Sequence, residues 1–224
     1  MPDRVDLRRA LQEERHADLE ARLRRLLTPF GGDERALDVG CGTGALAYAL
    51  APLVGEVVGV DSSEAYLDTA RGHAPANCTF VTGDAESLPF PYGDFDLVGC
   101  MRVLHHVRRP ELVVSEVARV TRPGGRILLV DQLGDVDPIR SLELDRFERA
   151  RDASHTRLLP DADIRGFLDA NDLVVTTNEV VRERRDMERY LDLVGLEGAE
   201  RERVARMAPP VYDVEMGWYV ARKL

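Results

Sequence analysis

The chain has 224 residues, a formal net charge of −10, and 31% charged against 44% hydrophobic residues. This length and balance are typical of one globular domain and exclude a mainly disordered chain. No apolar run approaches the roughly 20 residues of a membrane-spanning helix. The excess of acidic over basic side chains argues against a dedicated nucleic-acid binder.

The N-terminus and the cysteines favour a cytoplasmic protein. Residues 1–10 contain no apolar signal segment. Cys41, Cys78 and Cys100 follow no metal-ligand spacing, so we expect reduced thiols and no metal site. No sequence pattern indicates an oligomeric state.

Apolar residues at helical spacing alternate with short apolar runs along the chain. Residues 3–27 predict one or two amphipathic helices. Next come predicted strands at 36–39, 56–60, 78–82, 95–101 and 126–130. The predicted helices between them are 44–53, 63–72 and 110–120, and Pro123-Gly124-Gly125 predicts a turn. Because nearly continuous apolar strands alternate with helices, we expect an α/β fold with a parallel sheet covered on both faces.

The alternation changes after residue 131. The remaining predicted elements are helices at 138–152 and 161–170, a strand at 173–181, a helical stretch at about 184–207 and a strand at 214–221. Segments at the carboxyl ends of strands can cover a ligand crevice. The arginines of 138–157 indicate a mixed charged face, and the sequence does not single out one that would bind a substrate carboxylate.

The most specific motif is Asp38-Val39-Gly40-Cys41-Gly42-Thr43-Gly44, between a predicted strand and a helix. Its glycines let the backbone turn tightly and approach a ligand closely. Gly40, Gly42 and Ala45 also satisfy a loose dinucleotide fingerprint, and Asp61 follows at the spacing of a ribose-binding acid. This motif by itself leaves NAD and other adenosine ligands open.

Six segments together resemble the class I S-adenosylmethionine-dependent methyltransferases. Within this class they are most similar to the methyltransferase type 11 branch, which includes ubiquinone and menaquinone biosynthesis C-methyltransferases. They are ALDVGCGTG (36–44), VVGVDSS (57–63), VTGDAESLPFPYGDFDLV (81–98), LHHV (104–107), RPGGRILLVD (122–131) and GWYVARK (217–223). The resemblance implies a single-domain Rossmann-like three-layer sandwich. Its seven-stranded sheet would have the order 3-2-1-4-5-7-6, with the last strand antiparallel. The accessory segments would be an N-terminal helical lid at 1–30 and cap insertions at 132–160 and 184–210.

The resemblance also implies an S-adenosylmethionine site at the carboxyl ends of the strands. Three acids would carry its polar contacts: Asp38 to the ammonium group through water, Asp61 to the ribose hydroxyls and Asp84 to the adenine amine. The other implied residues are Gly40, Cys41, Gly42, Gly44, Ser62, Ala85, Met101 and Arg102. Each acid also has a local alternative, in which Asp38 caps the following loop, Asp61 caps the helix at 63–72 and Asp84 stabilises a turn.

Three histidines are candidates for a catalytic role. His105 and His106 follow the fourth strand. His155 follows the predicted helix of the first insertion, where it could enclose a ligand. Each also has a purely structural interpretation. A general base is needed only if the acceptor holds its proton at neutral pH.

The predicted activity is S-adenosylmethionine-dependent transfer of a methyl group to carbon, oxygen or nitrogen of a small organic acceptor. The alternative is a regulatory protein or cyclase that binds the cofactor without methyl transfer. The expected partner is a small molecule rather than a nucleic acid.

Overall fold

Helices and strands alternate through most of the first 130 residues, as the sequence predicts, with no helix between the strands at 78–82 and 95–101. The computed structural model describes residues 4–209 and 211–224, with side chains from residue 10 onward. The helices are α1 Arg4–Leu27, α2 Ala45–Leu50, α3 Glu64–Gly72, α4 Pro110–Val120, α5 Pro138–Arg151, α6 Asp161–Asp169, α7 Met187–Asp192 and α8 Gly198–Met207. The strands are β1 Arg35–Val39, β2 Glu56–Asp61, β3 Cys78–Thr82, β4 Phe95–Met101, β5 Thr121–Gln132, β6 Leu173–Arg184 and β7 Asp213–Lys223.

A short 3-10 turn, Leu104–His106, follows β4. Residues 1–3 and 210, which belong to the predicted lid and second cap, lie outside the described part of the chain. Among the described helices, none has the length and apolar character needed to cross a bilayer.

The seven strands form one sheet in the order β3-β2-β1-β4-β5-β7-β6, which confirms the predicted topology. Strands β1 to β5 run parallel, and β7 runs antiparallel to both β5 and β6. Strand β1 pairs with β2 on one side and with β4 on the other. The strand order therefore reverses at the carboxyl end of β1, and open α/β sheets bind ligands at such a point.

The segment Pro123-Gly124-Gly125, expected as a turn, lies within β5. The register with β4 shifts there, and Gly124 has a φ of 74°. The prediction that the strand begins after this turn, at residue 126, is therefore wrong, because β5 begins at Thr121. Pairing with β4 resumes at Arg126 and continues β5 through the irregularity.

The single helical stretch expected at 184–207 is also wrong. Strand β6 continues to Arg184 because its pairing with β7 extends to the Arg184–Asp213 pair. Positive φ angles of 64° at Gly195 and 52° at Gly198 then separate α7 from α8. Cross-strand pairing and left-handed glycines thus divide a segment whose composition alone favours one helix.

Two apolar layers cover the sheet, because successive strand residues point to opposite faces. In β1, Leu37 and Val39 belong to the layer that includes Val113 of α4. Ala36 belongs to the opposite layer, which contains residues of α2 and Leu23 of α1. The N-terminal helix therefore packs on the same face as the helix that follows the glycine loop.

We expect Leu37→Ala to lower the free energy of unfolding by about 2–5 kcal/mol, because it leaves a cavity beneath α4. Leu37 is 0% exposed, whereas Leu142 on α5 is 48% exposed. The matched control Leu142→Ala should change stability by less than about 0.5 kcal/mol. Urea denaturation monitored by circular dichroism measures both, and equal losses would contradict this placement of the core.

Candidate functional site

The loop between β1 and α2 turns at glycines. Gly40, Gly42 and Gly44 have φ angles of 67°, 52° and 91°. A Cβ at Gly40 would lie 2.4 Å from Val103 Cγ2, and one at Gly44 would lie 2.7 Å from Tyr48 Cε1. Left-handed backbone and close packing therefore both require glycine at positions 40 and 44. A Cβ at Gly42 would meet no atom within 4 Å, so the loop backbone faces open space there.

Asp38 is a buried carboxyl, 1% exposed, in the centre of the sheet. Its register partners on β2 and β4 are both glycines, Gly59 and Gly99. Asp38 Oδ2 accepts a 2.9 Å hydrogen bond from the Ala47 N–H, so the carboxyl caps α2. Burial raises the pKa of Asp38 to about 8, with the Ala47 hydrogen bond opposing the rise and the charge of Asp61 adding to it. The group is therefore mostly protonated at pH 7 and would ionise beside a cation.

Asp61 joins the end of β2 to the glycine loop. Its Oδ2 accepts from the Gly42 N–H at 2.8 Å, and its Oδ1 accepts from the Ser63 N–H at 2.9 Å. Asp84, after β3, accepts from the Glu86 N–H at 2.9 Å and stabilises a local turn. Both acids thus lie at carboxyl ends of strands, with their local hydrogen bonds made to backbone N–H groups.

A cleft of about 610 Å³ opens beside the glycine loop. Of the residues that the sequence assigns to the site, those lining the cleft are Asp38, Gly40, Cys41, Gly42, Met101, Arg102, His105 and His106. The described residues that do not line it are Gly44, Asp61, Ser62, Asp84, Ala85 and His155. The opposite walls come from α1, α7 and the strands β6 and β7, with residues such as Leu11, Arg15, Arg185, Tyr190, Leu193 and Trp218. The cleft therefore extends from the glycine loop to the inserted segments.

A buried carboxylate joins the two insertions. Glu148 of α5, 2% exposed, accepts hydrogen bonds from the hydroxyls of Tyr190, at 3.0 Å, and Tyr212. Arg151 Nε donates to Glu148 at 2.9 Å, and the Arg151 guanidinium lies 3.9 Å from the Tyr190 ring centroid. Burial acts to raise the pKa of Glu148, but Arg151 and the tyrosine hydrogen bonds outweigh it and lower that pKa. These contacts hold α7 against α5 at the edge of the cleft.

The three candidate histidines lie together. The His105 ring centroid is 4.1 Å from that of His106 and 5.7 Å from that of His155. His105 Nδ1 is hydrogen-bonded to the buried carboxylate of Asp131 near the end of β5, which also accepts from the Leu104 N–H at 2.7 Å. Burial acts to raise the pKa of Asp131, but the charge and hydrogen bond of His105 outweigh it and lower that pKa. Asp131 therefore orients the His105 ring at the cleft.

His106 is a neutral ring with a defined tautomer. Its Nδ1 lies 3.0 Å from Ser154 Oγ, and the Ser154 hydroxyl donates to Asp152 Oδ1 at 2.6 Å. Because that hydroxyl has one proton, it accepts from the His106 Nδ1–H, and Nε2 is left as an acceptor. Burial, followed by the charge of His105, lowers the pKa of His106 to about 4. His106 therefore stays uncharged at neutral pH.

His155 lies behind the other two rings and is 4% exposed. Its Nε2 is 3.0 Å from Asp145 Oδ1, which also accepts from the Leu158 N–H at 2.9 Å. The segment that carries His155 does reach the cleft, through Asp152. The His155 side chain itself orders this segment from within instead of facing the cleft.

Burial raises the pKa of the Cys41 thiol well above its ordinary value. Cys41 is therefore a thiol at neutral pH, and its buried position is that of a small packing residue in the loop. Among residues 4–209 and 211–224, no group of histidine, cysteine, aspartate and glutamate could hold a metal ion.

Sequence reasoning missed Arg185 and Trp218, which line the cleft, and Asp131, which is hydrogen-bonded to His105. Asp131 could have been found, because it follows an apolar strand as Asp38 and Asp61 do. Arg185 and Trp218 had no local signal, since the pattern around them predicts only a helical stretch and a strand. They face the cleft because β6 and β7 extend to its far wall.

Comparison with known proteins relates this architecture to methyltransferases. The family described as "Methyltransferase domain" matches residues 37–129. The "Uncharacterized methyltransferase YcgJ" of Bacillus subtilis (strain 168) is 37% identical over 145 residues, which cover 63% of this chain and 57% of that protein. The match to the next curated relative covers 38% of its length, so these similarities span parts of the relatives.

Solved structures extend the similarity to nearly the whole chain. A putative methyltransferase from Bacillus halodurans C-125 has a TM-score of 0.83 and 28% identity, covering 92% of this chain and 99% of that one. The 4+2 cyclase SpnF has a TM-score of 0.68 and 21% identity, covering 93% of this chain and 80% of that one. At that identity the cyclase shares the fold alone.

We expect His106 to remain neutral, with its proton on Nδ1, across the physiological pH range. Nitrogen-15 NMR of labelled histidine should show this tautomer and a titration midpoint near pH 4. Ser154→Ala removes the acceptor of the Nδ1 proton, so the tautomer preference should weaken. The matched control Ser141→Ala, on α5 and away from the cleft residues, should leave the spectrum unchanged. A His106 midpoint near the ordinary value of about 6.5 would contradict the assignment.

Proposed function

We propose that the chain is a class I S-adenosylmethionine-dependent methyltransferase that methylates a small organic acceptor, on the basis of its similarity to the methyltransferase domain family over residues 37–129 and to a solved methyltransferase structure. The observation that supports the proposal most directly is the continuous cleft. It joins the glycine loop to Met101 and Arg102, to the histidine pair and to the inserted helices. A cofactor bound along the strand ends and an acceptor under the insertions would therefore meet in one enclosed space.

The residues present fit this cofactor. The Gly42 backbone faces open space and lines the cleft, so a ligand can approach the loop closely there. The acids at the strand ends suit a ligand that carries ammonium and sulfonium charges and no phosphate. When bound, the cofactor supplies an electrophilic methyl group on a sulfonium leaving group.

The three acids have separate roles in this proposal. Asp38 would face the ammonium group, Asp61 would accept from the ribose hydroxyls, and Asp84 with the Ala85 N–H would bind the adenine edge. Asp61 is already positioned by the Gly42 and Ser63 N–H groups, which leave other lone pairs of its carboxylate available. The Gly40–Gly44 backbone, Ser62, Met101 and Arg102 would complete the contacts.

The acceptor would bind beneath α1 and the two insertions, which we assign as a lid and caps on one domain. The Thr43 hydroxyl donates to Gln12 Oε1 of α1 at 2.9 Å, which ties the lid to the glycine loop. Tyr190 and Leu193 of the second cap line the cleft. Phe147, although apolar and within the first cap, is 1% exposed and packs in the core. Enclosure by these segments would exclude water and align the acceptor.

A hydroxyl-bearing acceptor would find a proton acceptor in His106 Nε2. The Asp152–Ser154 hydrogen bonds hold the proton on the other ring nitrogen. A neutral imidazole can then take the acceptor's proton as the oxygen attacks. His105, which is oriented by Asp131, packs against the His106 ring and lines the cleft beside it.

Incubation with S-adenosylmethionine and a panel of small phenols, amines and activated carbon acids tests the proposal. Acceptor-dependent release of S-adenosylhomocysteine would support methyl transfer if one compound of the panel also gains the mass of a methyl group. Tight binding of S-adenosylhomocysteine with no release across the panel would favour the regulatory or cyclase alternative. Binding of NADH in place of S-adenosylhomocysteine in a thermal-shift assay would contradict both.

We expect Asp61→Ala to weaken S-adenosylhomocysteine binding by about 1–3 kcal/mol, the scale of hydrogen bonds to a charged group. Isothermal titration calorimetry measures the change. Asp163→Ala, at an exposed position on α6, is the matched control and should bind like the unaltered protein. An unchanged affinity in folded Asp61→Ala would refute the ribose role.

We expect S-adenosylhomocysteine binding to strengthen as pH rises from 6.5 to 8. Asp38 has a pKa of about 8 in the free protein. The ligand's ammonium group favours the ionised carboxylate, so binding at pH 7 should release up to about one proton. Calorimetry in buffers of different ionisation enthalpy counts that proton. Asp38→Asn should abolish the release, and persistent release in this variant would assign the proton elsewhere.

A further inference from the structure

Three guanidinium groups meet at one carboxylate on the wall of the cleft. Glu183 Oε2, near the end of β6, is 2.8 Å from Nη1 of Arg185 and 3.3 Å from Nη2 of Arg102. Nη1 of Arg15, on α1, lies 3.8 Å from the same oxygen. All four residues line the cleft. Their charged groups therefore converge on one atom, and we call these four residues the Glu183 cluster.

Positive charge exceeds negative charge within the Glu183 cluster. Each ion pair that the three arginines make with a described residue goes to Glu183. Burial acts to raise the pKa of Glu183, but the charges of Arg102, Arg185 and Arg15 outweigh it and lower that pKa. One ionised carboxylate thus balances only one of three guanidinium charges. A bound anion would reduce the repulsion that remains among them.

Arg102 and Arg15 are the accessible members of the cluster. Their side chains are 38% and 48% exposed, whereas that of Arg185 is 8% exposed. Within the described part of the chain, the Arg102 side chain makes one hydrogen bond, to Glu183, and Arg15 makes only its longer ion pair. A guanidinium has five N–H donors, so both groups keep donors for a ligand in the cleft.

Arg185 is held in place behind them. Its Nη1 donates to Glu183, its Nη2 donates to Met216 Sδ at 3.8 Å, and its guanidinium lies 5.5 Å from the Tyr190 ring centroid. Its buried Nε has no hydrogen-bond partner among the described residues. No second acceptor therefore offsets the charge of Arg185, which adds to the positive potential at the two accessible arginines.

The cluster lies apart from the strand ends that carry the ribose and adenine acids. Glu183 is paired with Val214 of β7, so it belongs to the half of the sheet beyond β5. Arg102 follows β4, and its guanidinium extends from there to β6. Asp61 and Asp84 follow β2 and β3, on the other side of β1. The cluster is therefore on the side of the cleft where the acceptor would bind.

We propose that the Glu183 cluster is a subsite for an anionic group of the methyl acceptor, a carboxylate or a phosphate, bound by Arg15 and Arg102. This inference deepens the proposed function and rests on it for the term acceptor. Guanidinium groups match the paired oxygens of both anions. Tyr190 and Met216, which contact Arg185 and line the cleft, suit an apolar or aromatic body. The ligand class is thus an organic acid with an apolar body.

Matched probes separate the anion from the body that carries it. Benzoate is compared with benzamide, and phenyl phosphate with phenol, by calorimetry on protein saturated with S-adenosylhomocysteine and on the free protein. We expect at least one anion to bind about tenfold more tightly than its neutral partner in both states, because charge-assisted hydrogen bonds are stronger than neutral ones. The pair with the larger ratio identifies the preferred group.

Arg15→Gln removes one accessible charge and keeps a polar side chain of similar length. It should weaken binding of the preferred anion about threefold or more and leave the neutral probe unchanged. Arg24→Gln is the matched control, because Arg24 is on the same helix, is 54% exposed, pairs with Glu20 and does not line the cleft. It should bind both probes normally.

Glu183→Gln tests the charge excess in the opposite direction. Removing the carboxylate leaves three arginines without their shared counter-ion, so the anion should bind about threefold or more tightly. Glu215→Gln makes the same charge change at a 48% exposed residue that pairs with Arg182 outside the cleft, and it should leave both probes unchanged. If Glu183→Gln does not fold, the comparison of Arg15→Gln with Arg24→Gln decides alone.

Equal binding of anion and neutral partner would overturn the subsite, as would equal behaviour of Arg15→Gln and Arg24→Gln. Weaker anion binding in folded Glu183→Gln would also overturn it. If S-adenosylhomocysteine blocks the anion and Arg15→Gln loses affinity for S-adenosylhomocysteine, the cluster binds the cofactor carboxylate and the inference is wrong. Failure of the proposed function is a different result, because the unaltered protein would then not bind S-adenosylhomocysteine, while the anion preference and its dependence on Arg15 would persist.

Discussion

The hydrogen bond from the Ala47 N–H to the buried carboxyl of Asp38 is the contact on which the site depends. It attaches the first turn of α2 to the middle of the sheet, at the strand where the order reverses. Gly99 on the neighbouring strand β4 leaves room for α2, because a Cβ there would lie 2.6 Å from Leu46 Cδ2. With both ends of the loop held in this way, Gly40–Gly44 can turn sharply and present its backbone to a ligand. Burying the carboxyl has an electrostatic consequence, because it holds the group near neutrality until a cation arrives.

A second buried carboxylate has the corresponding role in the accessory segments. Glu148 binds hydroxyls of Tyr190 and Tyr212, which belong to segments far from it in sequence. Charge on a buried group is costly unless it is paired, and here Arg151 pairs it. The resulting network orients α7 over the cleft, and the Phe147 and Tyr212 rings pack edge to face beside it at 5.4 Å. The glycine loop and the caps are therefore held by the same physical device, a carboxylate removed from water and satisfied by specific donors.

The cleft combines two polar surfaces with different chemistry. On one side, Asp131, Ser154 and Asp152 fix the orientation and proton of the histidine pair, which creates a neutral acceptor at His106. On the other side, Arg185 and Trp218 offer donors that the protein leaves unmatched. The cleft therefore combines a proton acceptor on one side with unmatched hydrogen-bond donors on the other. The sheet keeps these surfaces apart, since they follow different strands.

The sequence by itself determined the α/β class, the strand order through family resemblance, and the glycine loop with its three acids. Those features depend on spacing within short segments, and each segment carries its own turn, strand or cap signal. Only the tertiary structure decided where β6 ends, how Pro123-Gly124-Gly125 enters β5, and that His155 turns inward. It alone also brought Arg185 and Trp218 into the same cleft. These outcomes depend on pairing and burial between segments distant in the chain, which local propensity and periodicity do not encode.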